Sequence, residues 1–163
     1  MRIGVISDTH IPDRAKEIPK KVLEDFKSVD LILHAGDLVN LEVLDILRNV
    51  TKEVRAVWGN MDPPEVRKNL PEKQIIPVEN LCIGLTHGYG AASKLIGVVG
   101  DLFKGEKIDI IVFGHAHYPI NEKENGMLYF NPGSPTDKIF SPFNSYGILE
   151  IVGNHIKTNI IRL

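Results

Sequence analysis

The segment Arg2-Ile3-Gly4-Val5-Ile6-Ser7-Asp8-Thr9-His10 sets the reading of the whole chain. A short β-rich apolar run, Ile3 to Ile6, stops at a hydroxyl, a carboxylate and an imidazole. Such a run reads as a buried strand that delivers polar groups to the loop beyond it. The plan returns at Asp30 to His34, closed by Ala35-Gly36-Asp37, and at Glu53 to Trp58, closed by Gly59-Asn60. Helical spacing lies between these strands. Val22, Leu23 and Phe26 share one face, with Pro19 expected as the first helical residue, where its missing N–H costs nothing. Leu41, Val43, Leu44 and Leu47 mark a second helix. Strand and helix alternate over about the first 60 residues, which predicts an α/β arrangement with a parallel sheet.

The second half changes character and reads as α+β-like. Lys73 to Val78 and Leu81 to Thr86 are predicted strands, the latter closed by His87-Gly88. A helix is expected over Ala91 to Phe103, its small residues read as close packing. Ile108 to Phe113 is another apolar strand, closed by Gly114-His115. Short segments follow: Pro119 to Lys123, Met127 to Phe130, Tyr146 to Val152 and His155 to Ile161. Gly126 and Gly153-Asn154 suit hairpin turns, and the pairing is expected to be antiparallel. Together the halves predict two packed β-sheets with helices outside, in one domain spanning 1–163.

Composition narrows the function classes. The 163 residues are 43% hydrophobic and 25% charged, which excludes a disordered chain. Nineteen Lys and Arg against 21 Asp and Glu leave a net charge of −2, so duplex DNA is an unsuitable stable partner. The 7% aromatic content is dispersed and offers no stacking platform for single strands. Cys82 is the single cysteine, in an apolar strand where it is expected to be buried and inert. One cysteine forms no intrachain disulfide, which suits a reducing compartment. The first apolar run is too short for a signal peptide, and no run approaches the roughly 20 apolar residues of a membrane helix. The expected location is the cytoplasm.

Five predicted strands each end in Asp, Asn or His: Asp8 and His10, Asp37, Asn60, His87, and His115 with His117. In open α/β sheets ligands bind at the carboxyl ends of strands. Two carboxylates, an amide oxygen and four imidazoles all suit borderline divalent cations such as Mn²⁺, Fe²⁺, Co²⁺, Ni²⁺ or Zn²⁺. They are too many for one tetrahedral ion and suit two ions that share a carboxylate. Taken singly, each has a plainer explanation, because Asp and Asn favour turns and a loop His is often just solvated. The shared context outweighs that.

The set Asp8-Thr9-His10, Gly36-Asp37, Gly59-Asn60-Met61-Asp62, Thr86-His87-Gly88 and Gly114-His115-Ala116-His117 resembles the calcineurin-like metallophosphoesterase superfamily, in order and over roughly the whole chain. Asn131-Pro132-Gly133-Ser134 and Ser145 to Glu150 resemble its small single-domain phosphodiesterase branch, which also contains the retromer subunit of this fold. The resemblance implies a four-layer αββα sandwich. It implies a first cation on Asp8, His10 and His117, a bridging Asp37, and a second cation on Asn60, His87 and His115. Mn²⁺ is the first expectation, with Ni²⁺, Co²⁺, Fe²⁺, Zn²⁺ and Mg²⁺ as others. It implies hydrolysis of a small phosphodiester by a metal-bridging hydroxide, with Asn60 and His87 also contacting the substrate. The rival is a protein-interaction scaffold of the same fold. A homo-oligomer is compatible with either.

Two departures stand out. The superfamily's usual general-acid His is replaced by Met61, which donates no proton, so the catalytic acid is unassigned. A basic residue often follows the Asn-Pro-Gly-Ser segment, whereas Pro135-Thr136-Asp137-Lys138 follows here, leaving Lys138 as a candidate phosphate contact. His34 is read as a structural or supporting His, Asp62 as orienting the Asn60 loop, and His155 as exposed.

Overall fold

A computed structural model describes residues 1–51 and 53–163. The first sheet contains β1 (Arg2–Ile6), β2 (Leu31–His34) and β3 (Val54–Ala56), with α1 (Lys20–Phe26) and α2 (Glu42–Arg48) as crossovers. These three strands run parallel, as the alternation predicts. A further helix, α3 (Pro64–Asn69), follows β3. The second sheet contains β4 (Lys73–Val78), β5 (Leu81–Thr86), β6 (Ile110–Val112), β7 (Pro119–Glu124) and β8 (Met127–Pro132). Helix α4 (Leu95–Leu102) crosses between β5 and β6. The chain then returns to the first sheet as β9 (Ser145–Val152) and β10 (His155–Arg162), giving the order β10-β9-β1-β2-β3 beside β4-β5-β6-β8-β7.

Alternation along each strand assigns the layers. Ile3, Val5, Leu31 and Leu33 turn toward Ile83, Leu85, Ile110 and Val112, all fully buried between the sheets. Ile6 and Ile32 point the other way, onto Val22, Phe26, Val43 and Leu47 of α1 and α2. Leu95 and Val99 of α4 cover Ile111 and Phe113 on the far side of the second sheet. The result is an α/β fold of two mixed sheets flanked by helices, layered αββα. Strands β1 and β2 are covered on both faces, which explains their unbroken apolar runs.

The expected hairpins are antiparallel, but the second half as a whole is mixed. Pairs β4–β5, β7–β8 and β9–β10 are antiparallel, but β5–β6 and β6–β8 are parallel. The α4 crossover makes the first parallel pair. The second arises because β8 inserts beside β6 and leaves its hairpin partner β7 at the edge. Pairing direction depends on contacts remote in sequence, which local patterns do not encode. Smaller differences concern ends. Pro19 precedes α1, which starts at Lys20. The expected helix over Ala91 to Phe103 is a 3₁₀ turn, Ala92–Lys94, followed by α4. Cys82 is only partly buried. Among the described residues no helix is long and apolar enough to cross a membrane.

Candidate metal centre

All seven ligand-type residues arrive at one edge, each just beyond a strand. Asp8 and His10 follow β1, Asp37 follows β2, Asn60 follows β3, His87 follows β5, and His115 and His117 follow β6. Five of them adopt left-handed backbone conformations that side-chain-bearing residues rarely take: Asp8 (φ 53°), His10 (44°), Asp37 (56°), His115 (68°) and His117 (61°). Each such residue costs on the order of 1–3 kcal/mol and persists only where its surroundings over-determine it. Here they do. Asp8 N–H donates to the Gly36 carbonyl at 3.0 Å, and His10 N–H to the Asp37 carbonyl at 3.0 Å. His115 N–H donates to Asp8 Oδ2 at 3.1 Å.

One donor group is compact. Asp8, His10, Asp37 and His117 are buried, and each offers a ligand atom within 4.8 Å of the others. His117 Nε2 lies 3.4 Å from Asp8 Oδ1, and His10 Nε2 lies 3.6 Å from Asp37 Oδ2. Burial keeps the His10 pKa low against the pull of both carboxylates, and its buried Nε2 has no hydrogen-bond partner.

A second group shares Asp37. His87 Nδ1–H donates to the Ala35 carbonyl at 2.7 Å, and His115 Nε2–H to the Gly90 carbonyl at 2.9 Å. Those bonds select the tautomers. In neutral rings the remaining nitrogens, His87 Nε2 and His115 Nδ1, are lone pairs. Both face Asn60 Oδ1, at 3.1 and 2.8 Å, and His87 Nε2 also lies 3.4 Å from Asp37 Oδ2. A cation between His87 Nε2, His115 Nδ1 and Asn60 Oδ1 would satisfy all three atoms. Burial pulls the His87 pKa down, yet Asp37 and Asp8 outweigh it and raise the pKa to about 9. The donor chemistry therefore fits divalent metal, with each ring braced through its other nitrogen.

Glycine is required at two close approaches. A Cβ on Gly59 would stand 2.2 Å from Asp37 Oδ1, and one on Gly114 would stand 2.0 Å from Ser7 Oγ and 2.9 Å from Asp8 Oδ2. Asp62 binds the loops together as expected. Its Oδ2 accepts the N–H groups of Asp37 (2.9 Å) and Gly59 (2.7 Å), and its Oδ1 accepts that of Val39 (2.6 Å). Burial raises the Asp62 pKa against those donors. Met61 N–H donates to Asp37 Oδ1 at 2.7 Å, while its side chain is 53% exposed at the mouth of the site. His34 is structural. Its Nδ1 accepts Gly36 N–H, its Nε2–H faces Thr9 Oγ1 at 3.1 Å, and burial lowers its pKa to about 3. His155 is exposed.

Sequence reasoning missed Asp137. It is buried, and its carboxylate accepts the N–H groups of Phe140 and Ser141 at 2.7 Å each. Burial works to raise its pKa, but these donors and Ile139 N–H reverse the effect and hold it low. The resulting anion lies 3.5 Å from His117 Nδ1, which turns His117 Nε2 toward Asp8. The available signal was an acid three residues past Ser134. The same segment also buttresses β1's loop: Ser134 Oγ donates to the Asp8 carbonyl and Thr136 Oγ1 to the Thr9 carbonyl, both at 2.8 Å. Lys138 is exposed and does not line the cavities at this edge.

Residues 1–154 match the model of the calcineurin-like phosphoesterase superfamily domain. The chain belongs to that superfamily. A probable metallophosphoesterase of Methanocaldococcus jannaschii is 44% identical over 140 residues, 83% of this chain and 69% of the relative. A phosphodiesterase of the same organism is 29% identical over 82% of this chain and 83% of its own length. Among solved structures, Entamoeba histolytica Vps29 complexed with zinc superposes with a TM-score of 0.77 at 28% identity, over 99% of each chain. The superfamily's fold and its candidate metal-binding cluster are thus both present.

Proposed function

We propose that this calcineurin-like phosphoesterase, as a single domain over 1–163, is a binuclear metal-dependent phosphodiesterase acting on small diesters. The observation that carries this is the meeting of two donor groups at Asp37. Asp8, His10 and His117 would hold one cation, and Asn60, His87 and His115 the other, with Asp37 facing both. Such a pair of ions, Mn²⁺ first among Ni²⁺, Co²⁺, Fe²⁺, Zn²⁺ and Mg²⁺, supplies Lewis acidity toward phosphoryl oxygens and lowers the pKa of water toward neutrality.

The chain's own groups do the remaining work. Asn60 and His87 would neutralise charge on the equatorial oxygens; Arg67, which donates to the Asn60 carbonyl at 2.6 Å, and the Ala35 carbonyl hold the two residues in place. Cavities of about 310 and 220 Å³ share Asn60 in their walls and would leave room for the two ester arms of a diester. Met61 donates no proton to the leaving group, so good leaving groups are favoured. Cys82, a lone thiol, suits a cytoplasmic setting.

The likeness to Vps29, with Ile139 and Phe140 75% and 61% exposed beside the site, favours a second reading as a protein-interaction scaffold. One assay separates them. Metal is stripped with chelator and restored ion by ion while a nitrophenyl diester and the matching monoester are followed. The phosphodiesterase reading expects metal-restored turnover that prefers the diester. Metal binding without turnover on either substrate would favour the scaffold.

A further inference from the structure

We propose that Arg14 is the anchor for the substrate's phosphate on the chain's own side of the site, receiving a non-bridging oxygen of the diester. The proposal rests on the phosphodiesterase reading and adds a contact that does not pass through metal.

Arg14 is delivered by the same turn as His10, since its N–H donates to the His10 carbonyl at 2.8 Å. Its side chain lines the 310 Å³ cavity together with Asp37, Asn60, Met61, His115 and His117, and among the described residues it is the one Lys or Arg to do so. The guanidinium is mounted on Phe140, with Cζ 5.4 Å from the ring centroid. That stacking fixes the plane of the fork without using its N–H groups. Nη1 is buried and has no hydrogen-bond partner, although a charged N–H normally finds one.

A purely structural role explains this poorly. The nearest anion, Asp137 Oδ1, is 3.7 Å from Nη1, beyond a hydrogen bond. Asp137 is already held by the N–H groups of Ile139, Phe140 and Ser141 without Arg14. An arginine whose side chain keeps 30% of its surface exposed at the cavity wall, beside groups suited to phosphoryl chemistry, matches a phosphodiester monoanion. The rim points to the ester arm. Phe140 and Met61 expose 61% and 53% of their surface at this mouth, an apolar edge suited to an aromatic substituent.

The test compares R14Q and R14K with the wild type, all loaded with Mn²⁺. Three quantities are read: KM and kcat for an aryl phosphodiester, the dissociation constant of inorganic phosphate by calorimetry, and that of Mn²⁺ itself. The expected result for R14Q is a rise of about 10–100-fold in KM and in the phosphate constant, with kcat much less affected. Mn²⁺ affinity stays within about twofold, and R14K recovers part of the loss. F140A should raise KM for an aryl diester more than for its dimethyl counterpart. Loss of Mn²⁺ affinity with an unchanged phosphate constant at saturating metal would make Arg14 a brace for Asp137 and overturn the proposal. No change in any quantity would overturn it equally. If the loaded wild type binds phosphate but turns over no diester, the phosphodiesterase reading fails by itself, and the Arg14 contact is still decided by the phosphate constant.

Discussion

His87 Nδ1 lies 2.7 Å from the Ala35 carbonyl oxygen, and that bond determines which nitrogen of His87 faces Asp37. Ala35 ends β2's buried run, and His87 ends β5 in the other sheet. The bond therefore ties the two sheets together at the edge where the ligand set assembles, and it leaves Nε2 as the free donor. The same logic holds for His115 through Gly90, while the Asp137 carboxylate stands 3.5 Å behind His117 Nδ1.

Asn60 is the group on which the second donor set converges. Asn60→Ala removes that oxygen and leaves Asp8, His10 and His117 intact. Bound manganese is expected to fall from about two ions per chain to about one. Elemental analysis after desalting reads this directly, and retention of both ions would refute the assignment of Asn60.

Asp137→Asn keeps the size of the side chain and removes the charge behind His117. Metal affinity should drop by about 10–100-fold with the fold preserved, as when other supporting carboxylates are neutralised. Calorimetric titration of Mn²⁺, with circular dichroism as the control, checks it.

Met61 stands where the superfamily usually has a proton donor. Met61→His should leave nitrophenyl diesters nearly unchanged and raise turnover of alkyl diesters, whose leaving groups need a proton, by on the order of 10²-fold. Rates across a series of leaving-group pKa values would show a shallower dependence. An unchanged slope would mean that protonation comes from another source.

Tyr146 and Asp25 offer a test of the fold apart from the site. Tyr146 is fully buried against Phe26, and its hydroxyl donates to the Asp25 carboxylate. Hydrogen bonds from Lys21 and Tyr146 lower the Asp25 pKa. A depressed carboxylate pKa stabilises the fold above the unfolded value and ceases to do so as pH falls through the folded value. Tyr146→Phe should therefore cost about 1–2 kcal/mol at pH 7 and less at a pH below the lowered range of the Asp25 carboxyl. Urea melts at the two pH values measure the difference, and equal costs would contradict the role given to Asp25.

Much of the site was legible because it obeys a local rule: an apolar run, then a ligand-type residue. That rule located Asp8, His10, Asp37, Asn60, His87, His115 and His117 without knowledge of pairing. It also placed β1, β2, α1 and α2, whose patterns are strong. It missed α3, whose short Pro64–Asn69 span buries only Val66 and so has little periodicity. It did not reach the parallel pairing of β6 with β5 and β8, because that direction is set by α4 and by the insertion of β8, not by composition. Asp137 and Arg14 escaped notice for a related reason. Each is significant only through a neighbour brought in by the fold, His117 in one case and Phe140 in the other.

Asp37 decides the central claim, because its Oδ2 lies 3.6 Å from His10 Nε2 in one donor group and 3.4 Å from His87 Nε2 in the other. Asp37→Asn and the wild type should be stripped of metal, titrated with Mn²⁺ and assayed on the nitrophenyl diester at each point. The account predicts that the wild type gains turnover with two ions and that the variant loses at least about 10²-fold in both metal affinity and turnover. Full metal-dependent turnover in Asp37→Asn would contradict it.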